Sequence, residues 1–408
     1  MRIEPLTIGI GDRFGKEGIA QLKAFVAAED LGIRAVPVWN KSNREHTIIG
    51  SEPADVLAEG AGAVEALGWK NGFHIDADHI GLGNVDRFLA ASDFFTIDVA
   101  DFSGQPAGAA EIEAFVARHD GLAGRELDGI GAVSEADLRS AATKYLLAMQ
   151  EAGKVYRHIL KSKDNMIVEV SVDETDRPQS PVELLLILRM IADEGIPVQT
   201  IAPKFTGEFY KGIDYVGDVD RFAAEFEADL IVLKFAIREF GLPETLKLSV
   251  HSGSDKFSLY PVINRLIKKH GAGLHLKTAG TTWLEEVIGL AESGGSGLEV
   301  AKEIYRLARP RFDELVKPYA PVVAIDLARL PDPAEVERWD AGGYVAALRH
   351  DQSDPRYNLN FRQFIHVSFR IAAELGPRYL DALDANREVI ARNVCDNLLI
   401  RHLVPLFR

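Results

Sequence analysis

The sequence predicts an α/β fold: a (β/α)8 TIM barrel with a helical insertion and a C-terminal helical extension. Three observations carry that reading. Short apolar runs alternate with stretches of helical period, the runs end in polar residues on their C-terminal side, and they cease near residue 330.

In chain order the candidate strands are 6-LTIGI-10, 34-RAVPV-38, 73-FHIDAD-78, 94-FFTIDV-99, 166-MIVEVSV-172, 198-VQTIAP-203, 246-LKLSVH-251, 272-AGLHLK-277 and 321-PVVAID-326. Helix-like segments lie between many of them, at 16–30, 180–195, 218–241 and 281–294. Nine candidates against the eight of a closed barrel imply one miscounted or extra strand, and an open doubly wound sheet is the second choice. The helical, loop-rich stretch at about 103–165 reads as an insertion. Residues 1–330 then form the barrel and 331–408 a helical extension packed on it, with 360–404 as its tail.

Composition narrows the function. A chain of 408 residues, 47% hydrophobic and 26% charged, can bury a sizeable core. A formal charge of −15 argues against nucleic acid or an anionic membrane as the partner and leaves a small ligand, with room for a homo-oligomer. The longest apolar run, 184-LLLIL-188, stops at Arg189 and is too short to cross a bilayer, so it reads as a core helix. The opening MRIEPLTIGIGDRFG lacks a basic segment followed by an apolar stretch and a cleavage site, so the cytoplasm is expected. Cys395 is the only cysteine, and any metal must therefore be held by histidine and carboxylate.

Alternate residues of a strand share a face, and that rule sorts the polar residues. Lys247, Ser249 and His251 fall on one face of their strand, His275 and Lys277 on one face of the next, and Glu169, Ser171 and Asp173 on another. Lys204 follows a fourth run, and 71-NGFHIDADHIGLG-83 packs His74, Asp76, Asp78 and His79 into six residues. A hydrophobic core gains nothing from such groups, whereas a barrel keeps its active site at the C-terminal ends of its strands. His79, His251 and His275 are the expected metal ligands, since imidazole suits Zn, Mn, Ni, Co or Fe without thiolate. Glu169 is the carboxylate candidate, and Asp78 is placed to act as an acid or base beside the metal. His74, with apolar neighbours, reads equally well as a hydrogen-bonded core histidine. The segment 9-GIGDRFG-15 is one residue too long for the dinucleotide fingerprint, so no nicotinamide is expected. It reads as a strand-to-helix turn that can present Asp12 or Arg13 to the site.

Two resemblances add to these readings. The strings DADHIGL and VHSGSDKFS resemble the metal-binding strands of class II aldolases, and MIVEVSVDE is similar to the acidic strand between them. Where those enzymes carry a further histidine before a glycine, 203-PKFTGEFYKG-212 has none, and His275 is the natural replacement. The second resemblance spans most of the chain: 74-HIDADHIGL-82, 203-PKFTGEFYKGIDYVGD-218, 251-HSGSDKFSLYP-261, 275-HLKTAGTTWLE-285 and 357-YNLNFRQFIHVSF-369 are similar to the tagaturonate epimerase family. That resemblance implies a metal-dependent enzyme interconverting D-tagaturonate and D-fructuronate in hexuronate breakdown. The two sugars differ at C4 in ketose numbering, beyond the carbon that the C2 carbonyl acidifies. Two routes remain, transient oxidation at C4, which needs a nicotinamide site, and retro-aldol cleavage of C3–C4 with re-addition; the aldolase-like strands favour the second, with Asp78 and Glu169 exchanging the C4 hydroxyl proton. Lys204, Ser252, Lys256, Lys277 and Arg362 are the substrate-binding candidates, Lys277 being first choice for the sugar's carboxylate. An aldolase, a ketose isomerase and a sugar-binding protein are the competing readings.

Overall fold

The computed structural model describes residues 1–127, 130–278 and 280–408. Eight parallel strands close into a barrel: β1 (Leu6–Ile10), β2 (Val36–Ser42), β3 (His74–Ile80), β4 (Phe94–Asp98), β5 (Ile167–Ser171), β6 (Thr200–Ala202), β7 (Lys247–His251) and β8 (Leu274–Lys277). Each strand pairs with its neighbours in sequence, and β8 closes on β1 with Gly9 beside Lys277. Gly9 is required there, since a Cβ would stand 2.9 Å from Asn40 Nδ2 and 3.0 Å from Lys277 Cγ.

The expected helices form at Gly18–Asp30, Pro181–Asp193, Val219–Phe240 and Thr281–Glu292. Pro181–Asp193 shows why. Ser180 accepts the Glu183 N–H at 3.2 Å while Glu183 accepts the Ser180 N–H at 2.9 Å, and Pro181 takes the first helical position. The LLLIL run then turns entirely inward, each side chain contributing about 1.5–3 kcal/mol of burial. The stretch 103–165 holds the helix Ala109–Arg118, a small hairpin pairing Glu126–Leu127 with Gly131–Ala132, and the long helix Glu135–Leu160 that leads back to β5. Between β3 and β4 the connection is a single 3-10 turn, Val85–Arg87.

The ninth candidate strand, 321–326, is not one. Its first two residues belong to a 3-10 segment, Lys317–Val322, whose Pro318 and Pro321 lack amide donors. Beyond it, the Ala324 N–H goes to Gln363 Oε1 and the Asp326 N–H to Asn360 Oδ1, both on the helix Leu359–Val367. Side chains thus take the donors that a sheet neighbour would have used.

From Thr281 onward the described chain is helical or irregular. Thr281–Glu292 is buried along nearly its whole length between the barrel and the later helices. The main apolar core fills the layer between strands and helices, and Ile3, Val38, Phe94 and Ile167 plug the N-terminal end of the barrel. Among the described residues, no helix is long and apolar enough to cross a membrane.

Candidate active site

A cavity of about 720 Å³ opens at the C-terminal ends of the strands and is lined by Asp78, His79, Asp173, His251 and Lys277. At the opposite end, Ile3, Leu230, Leu233 and Lys247 line a more apolar hollow of about 600 Å³. The chemistry gathers at the first.

Asp78 and His79 reach that cavity from adjacent positions because β3 is irregular there. Strand alternation alone would send neighbours to opposite faces. The pairing of β3 with β4 shifts between Ala77 and Ile80, and His79 adopts φ 54°, left-handed for a non-glycine residue. His79 Nδ1 then lies 2.8 Å from Asp78 Oδ1, and its other nitrogen is left for a ligand. His251 is held in the same manner from the opposite nitrogen: Nε2 is 2.9 Å from Glu169 Oε1. Its Nδ1 lies 3.0 Å from Asp173 Oδ2 yet out of line for a hydrogen bond, leaving a buried nitrogen without a partner. Ser171 steadies Asp173 by donating to Oδ1 at 2.5 Å.

His79, Asp173 and His251 offer ligand atoms that all lie within 4.8 Å of one another. Two imidazoles and a carboxylate, each imidazole oriented by a second carboxylate, suit a divalent transition metal with a position open to substrate. The unpartnered His251 Nδ1 fits such an ion. Burial alone would lower both imidazoliums; Asp78 outweighs it and raises His79 to about 10, and Asp173 with Glu169 raise His251 to about 9.

Beneath this triad lies a closed network. Lys277 Nζ sits 2.7 Å from Asp76 Oδ2, 2.8 Å from Asp78 Oδ1 and 3.2 Å from Glu169 Oε1, and donates to Thr96 Oγ1 at 2.5 Å. Burial would lower the Lys277 ammonium, but these three carboxylates hold it well above its ordinary range. Burial pushes Asp76 up to about 6 against the pull of Lys277.

The residues expected from sequence are distributed unevenly around this centre. Asp78, His79, His251, Lys204 and Lys277 line the cavity, and Glu169 lies behind it with no exposed surface. His275 does not join the triad. It precedes Lys277 by two residues on β8, so it lies about 7 Å deeper, with Nδ1 2.8 Å from Thr7 Oγ1. Burial holds its imidazolium well below the usual range. His74 is wedged between Glu4 and Asp93, 2.9 Å from each, as a core histidine. Ser252 ties β7 to β8 through Lys277 O at 2.7 Å. Lys256 is buried and donates to Tyr210 O at 2.9 Å and Ile213 O at 2.7 Å. Arg362 is wholly buried on Asp255, Gly212 O and Leu348 O. Lys204 Nζ donates to Thr175 O at 2.5 Å. The turn after β1 is closed by Asp12, which accepts the N–H groups of Phe14 and Gly15 at 2.9 Å, and Arg13 faces the cavity.

Sequence reasoning passed over Asp173 as a ligand although the alternation in MIVEVSVDE puts it on the face of Glu169. Asn40, Lys211 and His366 also line the cavity wall: Asn40 sits on β2 two residues past the stretch expected as strand, and the other two come from outside the strands.

A family model for tagaturonate epimerase (UxaE) matches residues 1–374. The chain belongs to the tagaturonate epimerase family. A tagaturonate/fructuronate epimerase of Thermotoga maritima is 30% identical over 413 residues, covering 96% of this chain and 79% of that protein. A glycerol-complexed crystal structure of the fructuronate-tagaturonate epimerase UxaE from Cohnella laeviribosi matches with a TM-score of 0.82 at 23% identity, over 100% of this chain and 82% of that one. A probable tagatose 6 phosphate kinase from Sinorhizobium meliloti 1021 matches at TM-score 0.50 and 12% identity, over 98% of this chain and 100% of that one. Both structural likenesses are of fold. Membership of the tagaturonate epimerase family makes the chain an isomerase-class enzyme.

Proposed function

We propose that this protein interconverts D-tagaturonate and D-fructuronate by reversible cleavage of the C3–C4 bond, with a divalent metal held by His79, Asp173 and His251. The observation that carries the reading is that triad at the barrel mouth, with ligand atoms within 4.8 Å of one another, His251 Nδ1 facing Asp173 without an aligned hydrogen bond, and both imidazoles braced from behind by carboxylates. A bound divalent ion supplies a Lewis acid for the C2 carbonyl.

The chain's own groups do the rest. Asp78 commits Oδ1 to His79 and Lys277, and it lines the cavity, so Oδ2 is the atom that takes the C4 hydroxyl proton. As that proton leaves, the oxygen's electron pair forms the C4 aldehyde. The C3–C4 bond breaks, and its pair passes into the enolate of the three-carbon ketone fragment. The aldehyde turns about C4–C5, C3 adds to its other face, and Asp78 returns the proton to the C4 oxygen. Atoms and electrons balance with no external reductant. Lys277 keeps a positive charge beside Asp78 throughout, and Glu169, lacking exposed surface, holds His251 and leaves the substrate untouched.

The test is to incubate metal-loaded protein with fructuronate and follow tagaturonate by NMR. Tagaturonate should accumulate without free three-carbon fragments, vanish in chelator and return with a divalent transition metal. Release of free fragments favours an aldolase, and undiminished turnover in verified metal-free protein overturns the metal role.

A further inference from the structure

The cations expected to hold the sugar's carboxylate are already engaged. Lys277 faces three carboxylates, Lys256 and Lys204 donate to backbone carbonyls, and Arg362 is sealed on Asp255. On the cavity wall three other groups are under-used. Arg13 is buried, with one guanidinium nitrogen 3.2 Å from Glu45 and its Nε unpartnered. Its guanidinium is stacked 4.6 Å from the centre of the Phe369 ring, which fixes its plane. Lys211 Nζ has no carboxylate within 4.0 Å among the described residues. His366 is only 1% exposed, yet neither ring nitrogen has a hydrogen-bond partner. A buried imidazole in that state costs free energy unless something enters the cavity to meet it.

The backbone around these groups is shaped to leave them open. A Cβ on Gly280 would lie 2.1 Å from His366 Cε1 and 2.6 Å from Nε2, so only glycine leaves room for the ring. Gly253, at φ 65°, passes beside Lys211, where a Cβ would meet Phe209 O at 3.3 Å and Lys211 Cγ at 3.6 Å. Charge divides the cavity into two sides. Asp78, Asp98, Asp173, Glu174 and Asp176 line it from the ends of β3, β4 and β5. Arg13 follows β1, which stands across the barrel from β5, and Lys211 and His366 come from the loop after β6 and the helix Leu359–Val367. On the second side the carboxylates in the wall are Glu45, which is paired with Arg13, and Glu208, so an anionic group is repelled more strongly by the first side than by the second.

We propose that Arg13, Lys211 and His366 form the subsite that holds the carboxylate of the sugar acid. This inference rests on the epimerase reading above. It gives the substrate a direction, with the carboxylate against Arg13 and Lys211 and the ketone end toward His79, Asp173 and His251. It also gives the cleaved aldehyde fragment an anchor, since C6 stays clamped while C4 turns about the C4–C5 bond. These are binding and positioning residues, and they set the preference for a uronate over a neutral ketose.

The experiment pairs binding with turnover. Galactonate, an open-chain six-carbon acid without a ketone, and galactitol, its uncharged counterpart, are titrated into wild type, Lys211→Met and Lys211→Arg by calorimetry. Turnover of fructuronate and of fructose is measured on the same three proteins. Wild type should prefer galactonate, Lys211→Met should lose about 10- to 100-fold of that preference, and Lys211→Arg should keep most of it. The kcat/KM for fructuronate should fall in parallel in Lys211→Met, while that for fructose changes little. Equal losses on the charged and neutral ligands, or no loss on either, overturn the subsite. A wild type that prefers galactonate but fails to epimerise fructuronate leaves the subsite standing and removes the epimerase reading. Lys211 is only half-buried, so its replacement spares the fold where removal of Arg13 need not.

Discussion

The Asp255 cluster behind the barrel mouth and the triad within it are built from the same materials, buried carboxylates and imidazoles, and differ in how they are completed. Asp255 Oδ2 is 2.6 Å from Arg362 and 3.1 Å from His350, while Oδ1 is 3.2 Å from Thr281 and 3.6 Å from His402. The remaining Arg362 nitrogens go to Gly212 O at 2.6 Å and Leu348 O at 2.8 Å. Protein alone satisfies that cluster. Around the triad, Glu169 Oε2 and both nitrogens of His366 lack hydrogen-bond partners, and His251 Nδ1 meets Asp173 at 3.0 Å without an aligned hydrogen bond. The finished cluster pins the helix Leu359–Val367 against the barrel; the unfinished one leaves buried polar atoms without hydrogen bonds.

Removing a member of each cluster should therefore hurt in different ways. The largest effect belongs to Arg362→Met, which strands Asp255 in the interior and should cost about 3–5 kcal/mol of stability. Urea unfolding reads this directly, and metal content per folded molecule should stay unchanged. A variant as stable as wild type would mean that the closed cluster holds nothing together.

Asp78→Asn should spare stability and depress turnover by about 10²-fold, the usual size of an acid/base contribution. Metal content separates the roles of this residue. Retained metal with slow turnover supports proton transfer, whereas lost metal makes Asp78 chiefly the brace of His79.

The smallest effect is a pH signature of the closed cluster. Burial pulls the His350 and His402 imidazoliums below their usual range against the opposing pull of Asp255. Burial would raise Asp255, but Arg362 and then His350 hold its carboxyl well below the usual range. The neutral histidines contribute stability that is complete above about pH 6.5 and lost as pH falls below it. Asp255 contributes above about pH 4 and loses its share further down. The stability gap between wild type and His350→Gln should accordingly narrow from pH 7.5 to 5.5, as read from urea midpoints. A constant gap would show that His350 does not change protonation on unfolding.

Much of this was legible in the sequence because strand alternation reports which face a side chain takes. It does not report height. His275 shares a face with Lys277, as expected, but two residues along a strand amount to about 7 Å, enough to place it under the Lys277 network instead of beside His251. Asp173 lies just beyond the last residue of β5, at the right height, and the same alternation marked its face. The shift that turns Asp78 and His79 together depends on a single left-handed residue that no local signal announces. His366 and Lys211 come from a distant helix and an irregular loop, where period carries no information about the barrel mouth.

The contribution of His366 also sets an order in time. During synthesis the last barrel strand is complete at Lys277, but the residue that lines the far wall of the cavity follows about ninety positions later, an interval of about 5 to 20 s at ordinary elongation rates. Through that interval His79, Asp173 and His251 have all been synthesised while His366 and Arg362 have yet to be added. On the reading proposed above, the groups assigned to the ion and the wall assigned to the sugar are thus made at separate moments, and a chain interrupted between them would carry the first without the second.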